Sequence, residues 1–216
     1  MTTARPAFPN GPQVASLSDG VRRIARALGV RRPRFLRGDR VERPLLVRRV
    51  DTDRLVLRRH RMSDTADWFA LQSSASVRDG LRWPTRDARQ SRRHLRDRTR
   101  HVRLEQADDF AAWAVEFDGV VIGDVSLHLR DVRAATRSAE MGWVLNPAYT
   151  GKGYAAEAAD AALALAFLRL AVTVVHAEIR PENLRSRALA GRLGFVQVSA
   201  TRHTLTRADW DRLRRR

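Results

Sequence analysis

The chain has 216 residues, a formal charge of +17 and no cysteine, with an isoelectric point near 11.7. This length suits one domain of ordinary size plus an extension, and it can bury a core without covalent staples. The missing cysteine excludes disulfides, a thiolate nucleophile and thiolate metal ligands. No apolar run is long enough to cross a bilayer, and the N-terminus lacks the apolar core of a secretion signal, so a cytoplasmic location is expected.

Almost all of the positive charge is arginine, with Lys152 the only lysine. A GC-rich genome's codon bias yields that choice, and so does a surface selected to attract polyanions. Residues 1–50 hold twelve arginines against three acids together with Pro6, Pro9, Pro12, Pro33 and Pro44, a composition that argues against packing into a core. We therefore expect a basic N-terminal extension over 1–50 and a folded domain over 51–216. Within the extension, Val21, Ile24 and Leu28 share one helical face before Gly29 and Pro33 interrupt it. An organelle transit peptide, a basic arm contacting RNA or the ribosome, and an arm on an acidic membrane all fit that pattern equally.

In chain order, residues 54–59 alternate as a first strand, and Ser63-Asp64 caps a helix reaching about Leu71. Trp83-Pro84-Thr85 introduces a charged helix ending near Val102. Residues 110–117, the turn Asp118-Gly119 and residues 120–129 read as a hairpin, because Asp-Gly between β-rich runs supplies the required turn. A third strand covers about 138–145. Gly151-Lys152-Gly153 then opens an alanine-rich helix from Tyr154 to about Leu168, followed by a strand over 172–179, a helix started by Asn183 and stopped by Gly194, and short terminal strands. Strands, then helix, strand, helix and strands predict an α/β domain with a mixed sheet.

The chemistry concentrates at two junctions. In the run from Glu140 through Gly151-Lys152-Gly153 to Glu157, a strand enters a glycine loop that opens a helix, and unpaired amides and the positive end of the helix dipole suit an anion there. Lys152 adds a mobile cation. The second junction is Arg180-Pro-Glu-Asn183-Leu-Arg-Ser186, continuing to Gly194-Phe195.

Together these two segments resemble the acyl-CoA-binding half of the GNAT N-acetyltransferase superfamily, and within it the RimJ/RimL branch; the resemblance covers roughly residue 52 to the C-terminus. It implies a GNAT-like fold and acetyl-CoA as acyl donor, without a metal. It implies that the backbone of Trp143, Val144 and Leu145 holds the pantetheine arm, and that Thr150, Gly151, Lys152, Gly153, Tyr154 and Ala155 hold the pyrophosphate. Thr150 departs from the family's usual Gln or Arg and brings no charge. Asn183 matches a residue that bonds the pantetheine amide, and it equally qualifies as a helix N-cap. Ser186 matches the serine placed near the leaving sulfur in the RimJ/RimL branch, while Ala190 stands where many members carry a tyrosine acid. The C-terminal hairpin, a frequent wall of the acceptor pocket, looks abbreviated.

For a general base the chain offers Glu140, His176 and Glu178; we assign Glu140, whose strand face it shares with Gly142 and Val144. Deprotonating an α-amine at pH 7 costs about 1.4 kcal/mol against about 4.5 for lysine, so an equivocal base favours an N-terminal amine. The implied activity is acetyl transfer to a primary amine, first a protein N-terminus, second a small amine or an aminoglycoside. A non-catalytic domain of the same fold that binds CoA or RNA is the rival reading.

Overall fold

The computed structural model describes residues 38–81 and 83–215, all within the unit Arg37–Arg216. The amphipathic face at Val21, Ile24 and Leu28 lies outside the described residues. Ten strands make two sheets. β1 (Arg40–Leu46) pairs antiparallel with β4 (Arg103–Gln106). The other eight follow the order β2-β3-β5-β6-β7-β8-β10-β9, with β2 Val50–Asp51, β3 Val56–Arg58, β5 Phe110–Phe117 and β6 Val120–Asp131. The last four are β7 Ser138–Leu145, β8 Val174–Glu178, β9 Val196–Gln197 and β10 Arg202–Thr206. Among the described residues only β7 and β8 run parallel; every other pairing is antiparallel. The expected mixed α/β sheet is therefore present.

The fold begins earlier than residue 51. Val41, Leu45 and Val47 are buried in the main core beside Leu55 and Leu57, so the last part of the expected extension belongs to the domain. Composition concealed this strand, because Pro44 and its arginines break the alternation, and β1 carries an irregularity between Arg40 and Leu45. A two-stranded edge tolerates a proline that a central strand would not.

The hairpin of β5 and β6 forms as expected: Asp118 at φ 50° and Gly119 at φ 78° both take the left-handed conformation that a tight type I′ turn needs. On one face of the sheet lies α4 (Tyr154–Ala164), extended by a wider π-turn over Leu165–Arg169. Its Ala158, Ala159, Ala162 and Leu163 are buried, and small residues at this spacing let the helix approach the strands closely. On the other face lie α1 (Thr65–Ser73), α2 (Ala75–Leu81) and α3 (Ala88–Arg100). α3 buries only Ser91 and Leu95 and starts from a reciprocal cap, with the Asp87 carboxylate accepting from the Gln90 amide at 2.7 Å. Trp68, Leu71, Val77 and Leu95 form a second core there, against Val144 of β7.

α5 (Leu184–Arg192) follows the Asn183 cap, and Gly194 at φ 88° ends it. The short helices α2 and α6 (Arg207–Leu213) have no counterpart in the sequence reading. The terminal strands are brief, and β10 inserts between β8 and β9. Among the described residues no helix is long and apolar enough to cross a membrane, and no cluster of three or more His, Asp or Glu could hold a metal ion.

Candidate active site

The site arises where two parallel strands part. β7 and β8 pair from Ser138↔Val174 only to Glu140↔His176, whereas β7 keeps β6 beside it up to Leu145, opposite Gly123. Beyond Glu140, one edge of β7 has no strand partner among the described residues, and its N–H and C=O groups can be satisfied by a bound chain. The first turn of α5 stands beside this gap, with Trp143 Nε1 donating to Ser186 Oγ at 3.3 Å.

A cavity of about 630 Å³ occupies the gap. Trp143, Val144 and Leu145 form its strand wall, and Val77, Gly80 and Leu81 of α2 face them. From the glycine loop it is lined by Thr150, Gly151, Gly153, Tyr154 and Ala155, and from the α5 junction by Asn183 and Ser186.

Both loop glycines are required by the backbone. Gly151 and Gly153 sit at φ 80° and φ 84°, a region that costs an L-residue roughly 1–2 kcal/mol. Gly153 precedes α4 without any capping side chain, and the Glu157 amide donates to the Gly153 carbonyl at 3.1 Å. The amides of Tyr154, Ala155 and Ala156 thus lack intrahelical acceptors and point out of the helix's positive end. This cradle suits a diphosphate, and the open β7 edge suits the amides of a pantetheine arm.

Several expected contacts take a different form. Lys152 does not line the cavity; its carbonyl accepts from Arg54 Nη1 at 2.8 Å. The cation beside the loop is Arg54, which pairs with Glu157 at 2.7 Å and lies over the Tyr154 ring at 4.7 Å. Burial disfavours the Glu157 carboxylate, but hydrogen bonds from Thr52 and from the Arg54 backbone and side chain outweigh it and hold its pKa below the ordinary range. Thr150 Oγ1 donates to the Pro147 carbonyl at 2.8 Å, closing the preceding turn. Asn183 is an N-cap, accepting from the Ser186 amide at 3.1 Å, while its Nδ2 donates to the Gly80 carbonyl at 3.2 Å.

Glu140 is not brought to the cavity. Arg130 holds its carboxylate at 2.6 Å, and it lines neither this cavity nor the smaller one beside it. The face assignment was right, but the side chain lies level with the last β7–β8 pair, where the strands are still joined. His176 is half-buried with Nδ1 3.1 Å from Thr204 Oγ1; burial and then Arg202 lower its pKa. The second cavity, about 160 Å³, meets the first at Trp143, Asn183 and Ser186 and is bordered by Glu178 and Arg180. Residue 190 is an alanine, fully buried, and carries no group that could donate a proton.

Sequence reasoning missed Arg54, Arg185 and Arg192. The last two line the large cavity with Ala188 and Leu189; the spacing 185, 188, 189, 192 is one helical stripe, so that signal was present. Arg54 was beyond reach, since it meets the loop only through folding.

Residues 54–196 match the family model described as an acetyltransferase (GNAT) domain. The chain belongs to the GNAT acetyltransferase family. It is 42% identical over 74 residues to an uncharacterized N-acetyltransferase, YnaD, of Bacillus subtilis strain 168, covering 33% of this chain and 44% of that one. The match thus spans under half of that curated relative's length. Among solved structures, a GNAT-family acetyltransferase from Bacillus anthracis superposes with TM-score 0.62 at 20% identity, covering 74% of this chain and 98% of the other. RimL, a ribosomal L7/L12 alpha-N-protein acetyltransferase solved in an apo crystal form, gives TM-score 0.57 at 17% identity over 74% of this chain and 92% of its own. These likenesses establish a shared GNAT fold.

Proposed function

We propose that this GNAT domain transfers an acetyl group from acetyl-CoA to a primary amine, with the α-amine at a protein N-terminus as the acceptor. The observation that carries the reading is the unpartnered β7 edge opening into a cavity that ends on the glycine cradle. An extended chain with amides at one end and a diphosphate at the other matches that sequence of donors. The resemblance to RimL, an alpha-N-protein acetyltransferase, supports the choice of acceptor.

In this reading the amides of Tyr154 to Ala156 hold the diphosphate, with Arg185 and Arg192 lining the same cavity. Ser186 stands at the junction of the two cavities. Its Oγ already accepts from Trp143 Nε1, so its own O–H remains to be donated to the thiolate as the C–S bond breaks and the C–N bond forms, the proton lost by the attacking nitrogen restoring the serine hydroxyl. The acceptor amine must arrive unprotonated, which costs little for an α-amine at neutral pH.

The test is a thiol-release assay with acetyl-CoA against peptides bearing free or blocked N-termini, alongside calorimetry with CoA. We expect CoA binding and turnover confined to free N-termini. No heat with CoA would refute the donor site. Turnover of lysine side chains or small polyamines in preference to α-amines would refute the acceptor class.

A further inference from the structure

The smaller cavity has a chemical character of its own. Of the residues lining the two cavities, Glu178 is the one carboxylate, and it borders only the smaller. Arg180, two residues on, borders the same cavity, as do the apolar Leu81, Met141 and Ile179. An acid and a guanidinium at the edge of a small apolar hollow are the donor–acceptor set for a group that carries a cation and a hydrogen-bond acceptor a few atoms apart.

Both side chains are fixed by their neighbours yet keep bonding capacity. Glu178 Oε1 accepts from Arg202 Nε at 2.6 Å and Oε2 from Thr201 Oγ1 at 3.0 Å. Each carboxylate oxygen has a second lone pair to offer. Burial raises its pKa, but Arg202 and Thr201 outweigh that and hold the group below its ordinary range. It is therefore ionised at neutral pH, a good anchor for an ammonium and a poor proton acceptor. Arg180 donates through Nη2 to the Asp79 carbonyl, which ties its outer end to α2. Its Nε is buried without a hydrogen-bond partner among the described residues, so it is open to an acceptor that arrives with a ligand.

Resting on the acetyl-transfer reading above, we infer that the small cavity recognises the first residue of a peptide, Glu178 receiving its α-ammonium, which releases a proton to solvent before the neutral amine reaches the thioester, and Arg180 Nε donating to its first carbonyl. The two cavities meet at Trp143, Asn183 and Ser186, so an amine anchored here lies next to the thioester end of the donor cavity. The hollow's small volume admits a short first side chain and excludes a bulky one. Glu178, and not Glu140, is then the carboxylate that handles the acceptor, and recognition of the carbonyl separates an α-amino acyl unit from a plain alkylamine.

The experiment uses the full chain and three probes: a tripeptide beginning with alanine, alanine amide, and ethylamine, which keeps the amine and lacks the carbonyl. The wild type should acetylate the first two with kcat/KM at least about tenfold above ethylamine, the range expected for a hydrogen bond to a charged donor. R180M should erase that ratio by lowering the first two alone. E178Q should raise KM for all three by about tenfold or more. CoA affinity, measured by calorimetry, should stay within twofold in both variants, and R180K, which retains charge without Nε, should behave as R180M. An unchanged probe ratio in R180M, an unchanged KM in E178Q, or CoA binding with no turnover of any probe would each overturn the inference. A wild type that binds no CoA would instead overturn the acetyl-transfer reading beneath it.

Discussion

Replacing Gly153 separates the backbone requirement of the loop from its electrostatic one. The residue sits at φ 84°, ψ −5°, and a Cβ there would stand 3.2 Å from Arg54 Nη2, a side-chain end that can move. Gly153→Ala therefore mainly pays the left-handed penalty of roughly 1–2 kcal/mol, a loss that lowers Tm by about 2–8 °C for a domain of this size. That strain is present with or without ligand, so CoA affinity should change little. Gly153→Asp carries a similar or smaller strain, since aspartate tolerates this region better. It also sets a carboxylate where the diphosphate is expected. Two unit charges about 4 Å apart repel by about 1 kcal/mol in water and about 4 at an effective dielectric of 20, and Gly153 is exposed. A loss of about tenfold or more in CoA affinity relative to Gly153→Ala follows, shrinking as salt rises from low to physiological levels. Calorimetry on both variants at two ionic strengths measures it. Equal CoA affinity for the two at low salt would refute the placement of the diphosphate at this helix end.

Three further outcomes follow from the geometry. Ser186→Ala should lower kcat by about 10²-fold or more while leaving CoA affinity intact, the magnitude expected for loss of a positioned proton donor; equal loss in kcat and CoA binding would show that the serine only supports the fold. Asp124 is buried between His60 Nε2 at 2.8 Å and Arg98 Nη1 at 3.1 Å, so Asp124→Leu strands the guanidinium and should cost about 3–5 kcal/mol in urea unfolding. Burial raises the Asp124 pKa, but Arg98 and His60 outweigh it and lower the value; its stabilisation is thus complete above the ordinary carboxylate pKa of about 3.9 and fades as pH falls below it. His94 shows a different window: burial, then Arg98 and Arg86, lower its pKa to about 4. The unfolded chain takes up that proton near pH 6.5 and the folded chain does not, so stability should decline from about pH 6.5 toward 4. His94→Gln should flatten that slope in pH-dependent thermal melts.

What the sequence disclosed was governed by short-range chemistry. The Asp118-Gly119 turn, the bounds of β7, the glycines at 151 and 153 and the Asn183 cap each follow from the conformational limits of a few adjacent residues, and each stands where expected. The hidden features depend on partners distant in sequence. Glu140 lies on the predicted face, yet Arg130, ten residues earlier, and the position of the last β7–β8 pair decide where its carboxylate goes. The Arg54 contact with the glycine loop spans 98 residues to the Lys152 carbonyl. β1 went unread because Val41 and Leu45 are spaced four apart, which fits a strand face and a helix face alike, and Arg43 and Pro44 stand between them. The role of α2 in walling the cavity depends on Gly80, whose carbonyl meets Asn183, and no local signal announces that pairing.

The net charge of +17 invites a reading in which the whole surface draws in phosphates, but the arrangement of pairs supports a local one. On the strand face away from α4, Arg130 is matched by Glu140 and Arg202 by Glu178. Arg58 is matched by Asp64 and Glu116, and Arg98 by Asp124. Where the diphosphate is expected, Arg185 and Arg192 border the cavity with no carboxylate partner among the described residues. Paired arginines contribute little field beyond a Debye length, whereas unpaired ones beside exposed helix amides add to the dipole. Thr150, whose hydroxyl is spent on Pro147, leaves the anion to the helix amides and these α5 cations. On the proposed reading, the uncharged residue at that loop position is thus offset by charge on the opposite wall of the cleft.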